Sequence, residues 1–225
     1  MTNREISDVF AELSTPLVAD ACVRLGLPLR FAPPGIRPLL SASRIAGRLV
    51  PARHYGSVDV FLEAMMGAEA GDILVIDNGG RRDEGCVGDL TALEAQACGL
   101  SGIVVWGCHR DTEELLSIGL PVFSYGTCPA GPRRLDPPDP KALESARFGD
   151  FEVGRDDLVF ADADGVLFVP GSVAEEVLSV ARAIHDTKRR EAEAVRAGKL
   201  LREQLHFEEY LHVGLPILPI RFAGI

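Results

Sequence analysis

The sequence is poor in lysine. Lys141, Lys188 and Lys199 are the only lysines among its 225 residues. Catalysis through a lysine Schiff base needs that side chain at a buried strand end. These three instead fall in a proline-rich link and in a polar, helix-like segment. The composition therefore disfavours Schiff-base chemistry.

Paired cysteines and long apolar runs are also missing. The five cysteines are odd in number and form no Cys-x-x-Cys pair, which argues against a disulfide framework and a zinc knuckle. No segment approaches the roughly 18 apolar residues of a membrane span, and MTNREISDVF lacks a secretory pattern. We expect a cytoplasmic protein that does not enter a membrane.

Basic residues are outnumbered by acids. Lys and Arg total 23 against 33 Asp and Glu, giving a net charge of −10. Such a chain repels a phosphate backbone unless its cations cluster on one face. They cluster at 188–190, within a Glu-rich helical pattern typical of a solvated face, and to a lesser extent at 133–134. Nucleic acid is therefore not an expected partner.

The arrangement of helices and short strands predicts a layered α/β fold. Helical patterns cover 3–13 and 15–26, with Thr15 as the expected N-cap. Apolar strand patterns follow, and their density beyond residue 120 exceeds that of a simple doubly wound sheet. We expect one domain over 1–225, with 172–225 as a helical extension, in which one long helix runs from 172 to about 202, and an apolar tail.

The apolar tail is the segment LPILPIRFAGI at 215–225. A segment this apolar is expected to pack on the body of the protein or on a neighbouring subunit.

The segment GDLTALEAQACGLSGIVVWGCHRD, Gly88 to Asp111, carries charge at both ends. A helix is expected to begin near Asp89, and an apolar strand to end before Arg110. Because helix and strand run in opposite directions, the helix start and the strand end share one edge of the sheet, where ligands bind in open α/β folds. Asp89, Arg110 and Asp111 can therefore meet.

Two interpretations of this meeting stay open. Asp89 can be an N-cap while Arg110 and Asp111 tie a loop. Alternatively, the three side chains and the amides of the first helical turn form a ligand site. A carboxylate for a hard divalent ion, a guanidinium for an oxyanion and amides for a carboxylate suit a 2-oxo acid chelated to Mg²⁺.

The ordered motifs resemble those of the 4-hydroxy-4-methyl-2-oxoglutarate aldolase family, which includes the regulator of ribonuclease E activity A (RraA). The central match is an Asp-x20-Arg-Asp signature formed by Asp89, Arg110 and Asp111. Supporting segments are TPLVADAC (15–22), GDILVIDNGG (71–80), PVFSYGTCP (121–129) and ADADGVLFVP (161–170). The resemblance implies a swivelling-domain-like α/β/β/α sandwich that assembles as trimers or dimers of trimers, with active sites between subunits.

The resemblance also implies residue roles. Asp111 would be the metal ligand for Mg²⁺ or Mn²⁺, and Asp89 would hold a water molecule of the metal's shell. Arg110 would contact the keto oxygen of a small 2-oxo acid. Gly88 and the amides of Leu90 and Thr91 would bind its carboxylate. A neighbouring subunit would lend a glutamate from its C-terminal helix, for which Glu191 is the best placement in this sequence.

The implied reaction is metal-dependent cleavage of a 4-hydroxy-2-oxo acid to pyruvate, accompanied by decarboxylation of oxaloacetate. The alternative is a non-enzymatic, RraA-like regulator that binds a protein. Two departures leave the substrate open. His109 stands where the family usually has a small or apolar residue, and the tail after Leu205 matches nothing in the aldolases.

Overall fold

The fold is built around one curled eight-stranded sheet. The structure is a computed structural model that describes residues 1–213. The strands lie in the order β1, β12, β11, β3, β4, β6, β8, β2. They are β1 (Arg30–Phe31), β2 (Arg37–Pro38), β3 (Ile45–Arg53), β4 (Ile73–Asp77), β6 (Gly102–Trp106), β8 (Val122–Ser124), β11 (Asp157–Asp162) and β12 (Gly165–Pro170). Two further pairs stand apart from it: β5 (Gly85–Val87) with β7 (Cys108–His109), and β9 (Ser145–Phe148) with β10 (Phe151–Gly154).

The sheet has a parallel half and an antiparallel half that share β3. Strands β3, β4, β6 and β8 run parallel, whereas β11 pairs antiparallel with β3, and β12 with β11. Strand β2 at one end also contacts β12 near the other. The two halves therefore curl towards each other around a shared interior.

Successive side chains of β4 point to opposite faces of the sheet and so belong to different layers of the core. Ile73 and Val75 point into the interior cluster with Phe168 of β12, whereas Leu74 and Ile76 point outward beneath helices. All four side chains are fully buried, as expected for a central parallel strand covered on both faces. The resulting order of layers is helix, strand, strand, helix, which confirms the predicted α/β/β/α sandwich.

Helices cover both outer faces. The helices are α1 (Asn3–Phe10), α2 (Thr15–Arg24), α3 (Asp59–Met66), α4 (Asp89–Ala97), α5 (Thr112–Ile118), α6 (Ala174–Arg196), α7 (Leu201–Gln204) and α8 (Phe207–Val213). Side chains of α1, α2 and α6 pack on the antiparallel half, and those of α3, α4 and α5 on the parallel half. Within residues 1–213, no helix combines the length and apolar character that a membrane span requires.

Two sequence expectations about helix ends were wrong. Helix α2 begins at Thr15, so its N-cap is Ser14 and not Thr15. Thr15 is instead bound to the buried Asp162 carboxylate, to which it donates through its amide (2.8 Å) and its hydroxyl (2.6 Å). The long C-terminal helix ends at Arg196 rather than near residue 202, since Gly198 adopts a left-handed φ of 95° and breaks it. Residues 214–225, including the apolar tail at 215–225, lie outside the described residues.

Candidate active site

The site forms where β4 and β6 end, because a small parallel ladder joins the segments that follow them. Strand β5 precedes α4 and pairs with β7, which follows β6. The amide of Arg110 donates to the carbonyl of Val87 at 2.9 Å. This pairing holds Gly88 and Arg110 side by side, although they are distant in sequence.

Because Gly88 has no side chain, the Asp111 carboxylate can lie close to its backbone. A Cβ built on Gly88 would lie 2.2 Å from Oδ2 of Asp111, closer than any real contact. Gly88 is extended, with φ −134° and ψ −167°, so the backbone itself would accept a side chain. The requirement for glycine therefore comes from Asp111 and not from a turn.

Arg110 extends its guanidinium between two glycines. Its Nε lies 3.3 Å from Oδ2 of Asp111. A Cβ on Gly88 would lie 3.3 Å from the same Nε, and one on Gly131 would lie 2.7 Å from Nη1. The Arg110 side chain remains 47% exposed and that of Asp111 34%. Both are held in place and remain accessible to a ligand.

Asp111 adopts a left-handed conformation, with φ 58° and ψ 48°. Non-glycine residues seldom do so, although aspartate tolerates it better than most, and such residues concentrate at functional sites. Helix α5 starts directly after Asp111 and was not among the helices expected from the sequence. The sharp turn directs the Asp111 carboxylate back to Gly88.

The first turn of α4 differs in detail from the sequence expectation. Gly88 is the N-cap and Asp89 is the first helical residue, so Asp89 does not cap the helix. Its Oδ1 accepts from the amide of Leu90 at 2.7 Å. The Thr91 amide has no acceptor among the described residues. One of the two expected amides is thus free, and the other is occupied by Asp89.

A cavity of about 380 Å³ joins these groups. It is lined by His54, Gly56, Val58, Gly85, Cys86, Gly88, Asp89, Leu90, Thr91, Arg110, Gly131 and Pro132. This volume lies at the lower end of the range for small-molecule sites. Asp111 is not among the lining residues, but its carboxylate reaches the cavity edge through Gly88 and Arg110.

A larger cavity of about 590 Å³ lies between α1 and the start of α6. One of its two aspartates, Asp157, is paired with Arg30 at 2.5 Å and accepts from the Gly154 amide. It contains none of the residues of the Asp-x20-Arg-Asp signature, so the smaller cavity is the better candidate.

His109 does not face the candidate site. It is buried, and its Nδ1 lies 2.7 Å from Oγ of Ser124 while its Nε2 lies 3.3 Å from Oγ1 of Thr112. Burial lowers the pKa of His109. His109 thus connects β8 to the first residue of α5 beneath the Arg110–Asp111 segment, as a structural support.

His54 is a lining residue that sequence reasoning missed. It follows β3 directly, and its amide donates to the carbonyl of Asp77 at 2.9 Å. The same strand-end reasoning that selected Arg110 would have selected it. Its ring bonds Asn78 within a buried polar network that includes Arg134, which the sequence had marked only as part of a minor basic group.

Glu191 lies elsewhere in this subunit. It is on the C-terminal half of α6, a helix that packs on α2, and its carbonyl accepts from Nε2 of Gln204 at 3.2 Å. It does not line the candidate cavity of its own subunit. A role for Glu191 in a neighbouring subunit's site stays a prediction.

Similarity to known proteins agrees with this geometry. Residues 15–168 match the family described as "RraA-like: Aldolase/RraA". The chain belongs to this RraA-like family. The match begins at α2 and ends within β12, so it includes every residue around the candidate cavity.

Two relatives of this RraA-like chain are named "Putative 4-hydroxy-4-methyl-2-oxoglutarate aldolase". The protein from Halalkalibacterium halodurans is 31% identical over 65% of this chain and 70% of its own length. The protein from Laribacter hongkongensis is 30% identical over 68% of this chain and 96% of its own.

Solved structures share the fold. An uncharacterized protein from Pseudomonas syringae has a TM-score of 0.76 and 27% identity, covering 89% of this chain and 96% of its own. Streptomyces coelicolor RraAS2, described as an unusual member of the RNase ES inhibitor RraA family, has a TM-score of 0.74 and 24% identity. It covers 84% of this chain and 96% of its own.

Proposed function

We propose that this RraA-like protein is a divalent-metal-dependent aldolase that cleaves a 4-hydroxy-2-oxo acid to pyruvate and also decarboxylates oxaloacetate. The observation that carries the proposal is that Gly88, Asp89 and Arg110 line one cavity, while the Asp111 carboxylate lies against Gly88 and Arg110. The names of the relatives support the same reaction class.

The residues at the cavity fit Mg²⁺ or Mn²⁺. Asp111 offers a partly exposed carboxylate, and the absent side chain of Gly88 leaves its Oδ2 open on one side. Residues 1–213 contain no cluster of three or more His, Cys, Asp or Glu side chains able to hold a metal. A site with Asp111 as its one protein ligand would leave the other positions around such an ion to water and substrate oxygens. When bound, such an ion withdraws electrons from the keto oxygen of the substrate.

Arg110 provides the second charge at the reacting end of the substrate. We assign its guanidinium to the keto oxygen, where negative charge grows as the carbon–carbon bond breaks and an enolate forms. A fixed donor at such a position stabilises the transition state more than the ground state. The positions of Gly88 and Gly131, which leave room for the side chain, support this orientation.

The start of α4 is assigned to the substrate carboxylate. The free amide of Thr91 and the partial positive charge of the helix N-terminus favour an anion there. Oδ1 of Asp89 accepts from the Leu90 amide. We propose that the substrate carboxylate replaces Oδ1 at this amide, which frees Asp89 to hold a water molecule and to move a proton.

Oligomerisation, as a trimer or a dimer of trimers, is part of the proposal. Leu90, which lines the cavity, is 76% exposed, and Leu93 of the same helix and Leu62 and Met66 of the contacting helix α3 are exposed too. Clustered exposed apolar side chains favour contact with another subunit. A neighbouring copy could bring Glu191 to this cavity.

Pyruvate release tests the function. Purified protein is incubated with 4-hydroxy-4-methyl-2-oxoglutarate or oxaloacetate, and pyruvate is followed with lactate dehydrogenase. The proposal predicts release with Mg²⁺, loss of release with EDTA, and little activity in Asp111→Asn. A rate equal to buffer for both compounds, with Mg²⁺ and with Mn²⁺, would instead favour the non-enzymatic, protein-binding alternative.

A further inference from the structure

His54 is placed at the candidate cavity by the end of β3. Its side chain is 2% exposed, and the residue lies between two cavities, the one lined by Asp89 and Arg110 and another beside Asp77 and Arg147. The ring stacks on Phe61, with centroids 5.0 Å apart and planes 25° from parallel. The imidazole is therefore held in one orientation at the cavity wall.

Hydrogen bonds determine which ring nitrogen of His54 carries the proton. Its Nδ1 lies 2.8 Å from Oδ1 of Asn78. The same oxygen accepts from Nη2 of Arg134 at 2.9 Å, and an arginine can only donate, so this atom of Asn78 acts as the acceptor. Nδ1 must therefore donate, and the lone pair of the neutral ring lies on Nε2.

Nε2 of His54 has no hydrogen-bond partner in the described part of the chain. Burial lowers the pKa of His54, and the charge of Arg134 lowers it further, while the Asn78 bond and the acids Glu84 and Asp136 act in the opposite direction. The ring is thus neutral near pH 7. A neutral imidazole with a free lone pair is a proton acceptor.

The surroundings of Nδ1 can stabilise the ring after it takes a proton. Oε1 of Glu84 lies 3.8 Å from Nδ1 of His54 and 3.1 Å from Nη2 of Arg134. Glu84 is 4% exposed, so solvent weakens this attraction little. The network fixes the ring, and the Glu84 carboxylate offsets part of the repulsion between a protonated ring and Arg134, whose Nη2 lies 3.4 Å from Nδ1.

We propose that His54 is a further catalytic residue, which accepts the proton of the substrate's C4 hydroxyl through Nε2. The proposal rests on the aldolase function proposed above. The O–H proton moves to Nε2, the C4 oxygen forms a carbonyl, and the C3–C4 bond breaks. Its electron pair forms the enolate of pyruvate, C3 takes a proton from the water held by Asp89, and His54 returns its proton to that water.

A proton acceptor at His54 should affect aldol cleavage and oxaloacetate decarboxylation differently. Decarboxylation of oxaloacetate breaks its bond without removing a hydroxyl proton, so this bond cleavage needs no acceptor. Both reactions need the groups that hold the 2-oxo acid. A group that only supports the cavity would affect both, whereas a proton acceptor affects chiefly the aldol cleavage.

The test compares both rates in His54→Gln, in His54→Ala and in a control, His185→Gln, whose residue does not line the cavity of its own subunit. We expect the kcat of aldol cleavage to fall about 100-fold or more, the usual range for loss of a general base. The kcat of decarboxylation should fall less than about fivefold. Free imidazole should restore cleavage in His54→Ala but leave its decarboxylation rate unaltered.

An equal fall of both rates, or no fall of aldol cleavage, overturns the proposal. Circular dichroism and thermal melting establish that the variants are folded, and if His54→Ala is unfolded, the rate ratio in His54→Gln decides. Absence of pyruvate from both substrates in the wild-type protein overturns the aldolase function itself. That outcome is distinct from a failure of His54 alone.

Discussion

Replacing Gly88 by alanine tests how the site is built. The added Cβ would lie 2.2 Å from Oδ2 of Asp111, about 0.8 Å inside the 3.0 Å limit below which Cβ contacts essentially never fall. The backbone of Gly88 suits alanine, so the clash is relieved by displacing the carboxylate. Misplacement of a catalytic group by about 1 Å can reduce a rate about 100-fold.

The assay measures both catalysis and binding. We expect kcat/KM for pyruvate release to fall about 100-fold, and titration calorimetry to show weaker Mn²⁺ binding. Gly67→Ala is a matched control, because its Cβ would meet no atom closer than Nη2 of Arg155 at 3.8 Å. Both variants should melt close to the wild-type temperature.

Wild-type activity and Mn²⁺ affinity in folded Gly88→Ala would refute this reasoning. It would mean that the Asp111 carboxylate can move without consequence. Asp111 would then not be the group on which metal binding depends.

Three further predictions concern charge, packing and pH. Arg110→Lys keeps the charge but loses the planar fork, so kcat/KM for pyruvate release should fall about 10- to 100-fold in steady-state assays; an unchanged value would contradict the assignment. Phe10 is 1% exposed and packs edge-on against Phe160 at 5.2 Å, so Phe10→Ala should lower the free energy of unfolding by about 3–5 kcal/mol in urea titrations; a loss below about 1 kcal/mol would show that the contact matters little. Burial lowers the pKa of His54 and His109 below 6.5, so the unfolded chain binds more protons than the folded one just below that pH. The free energy of unfolding should therefore fall as the pH decreases through this window. Replacing both histidines by glutamine should make the free energy of unfolding depend less steeply on pH; an equal dependence in the variant would show that these histidines do not cause it.

The layered fold could be predicted because hydrophobic patterns are local. The apolar runs at 45–52, 73–76 and 102–106 identify buried strands, and each lies within a strand of the sheet. Short elements left no such pattern. Strand β7 contains only Cys108 and His109, and it exists because it pairs with β5.

The candidate site was predictable in part. Asp89 and Arg110 follow from the rule that ligands bind at strand ends, and the structure brings them to one cavity. The role of Gly88 in contacting Asp111 depends on a left-handed turn that no periodicity indicates. The Asn78–Arg134 network behind His54 joins residues 56 positions apart, which a single sequence does not link.

The most direct test of the central claim is a crystal structure grown with Mg²⁺ and pyruvate. The account predicts the ion on the Asp111 carboxylate, the keto oxygen of pyruvate near Arg110, and the pyruvate carboxylate at the amides of Leu90 and Thr91. An ion bound away from Asp111, or pyruvate bound outside the cavity lined by Asp89 and Arg110, would contradict it.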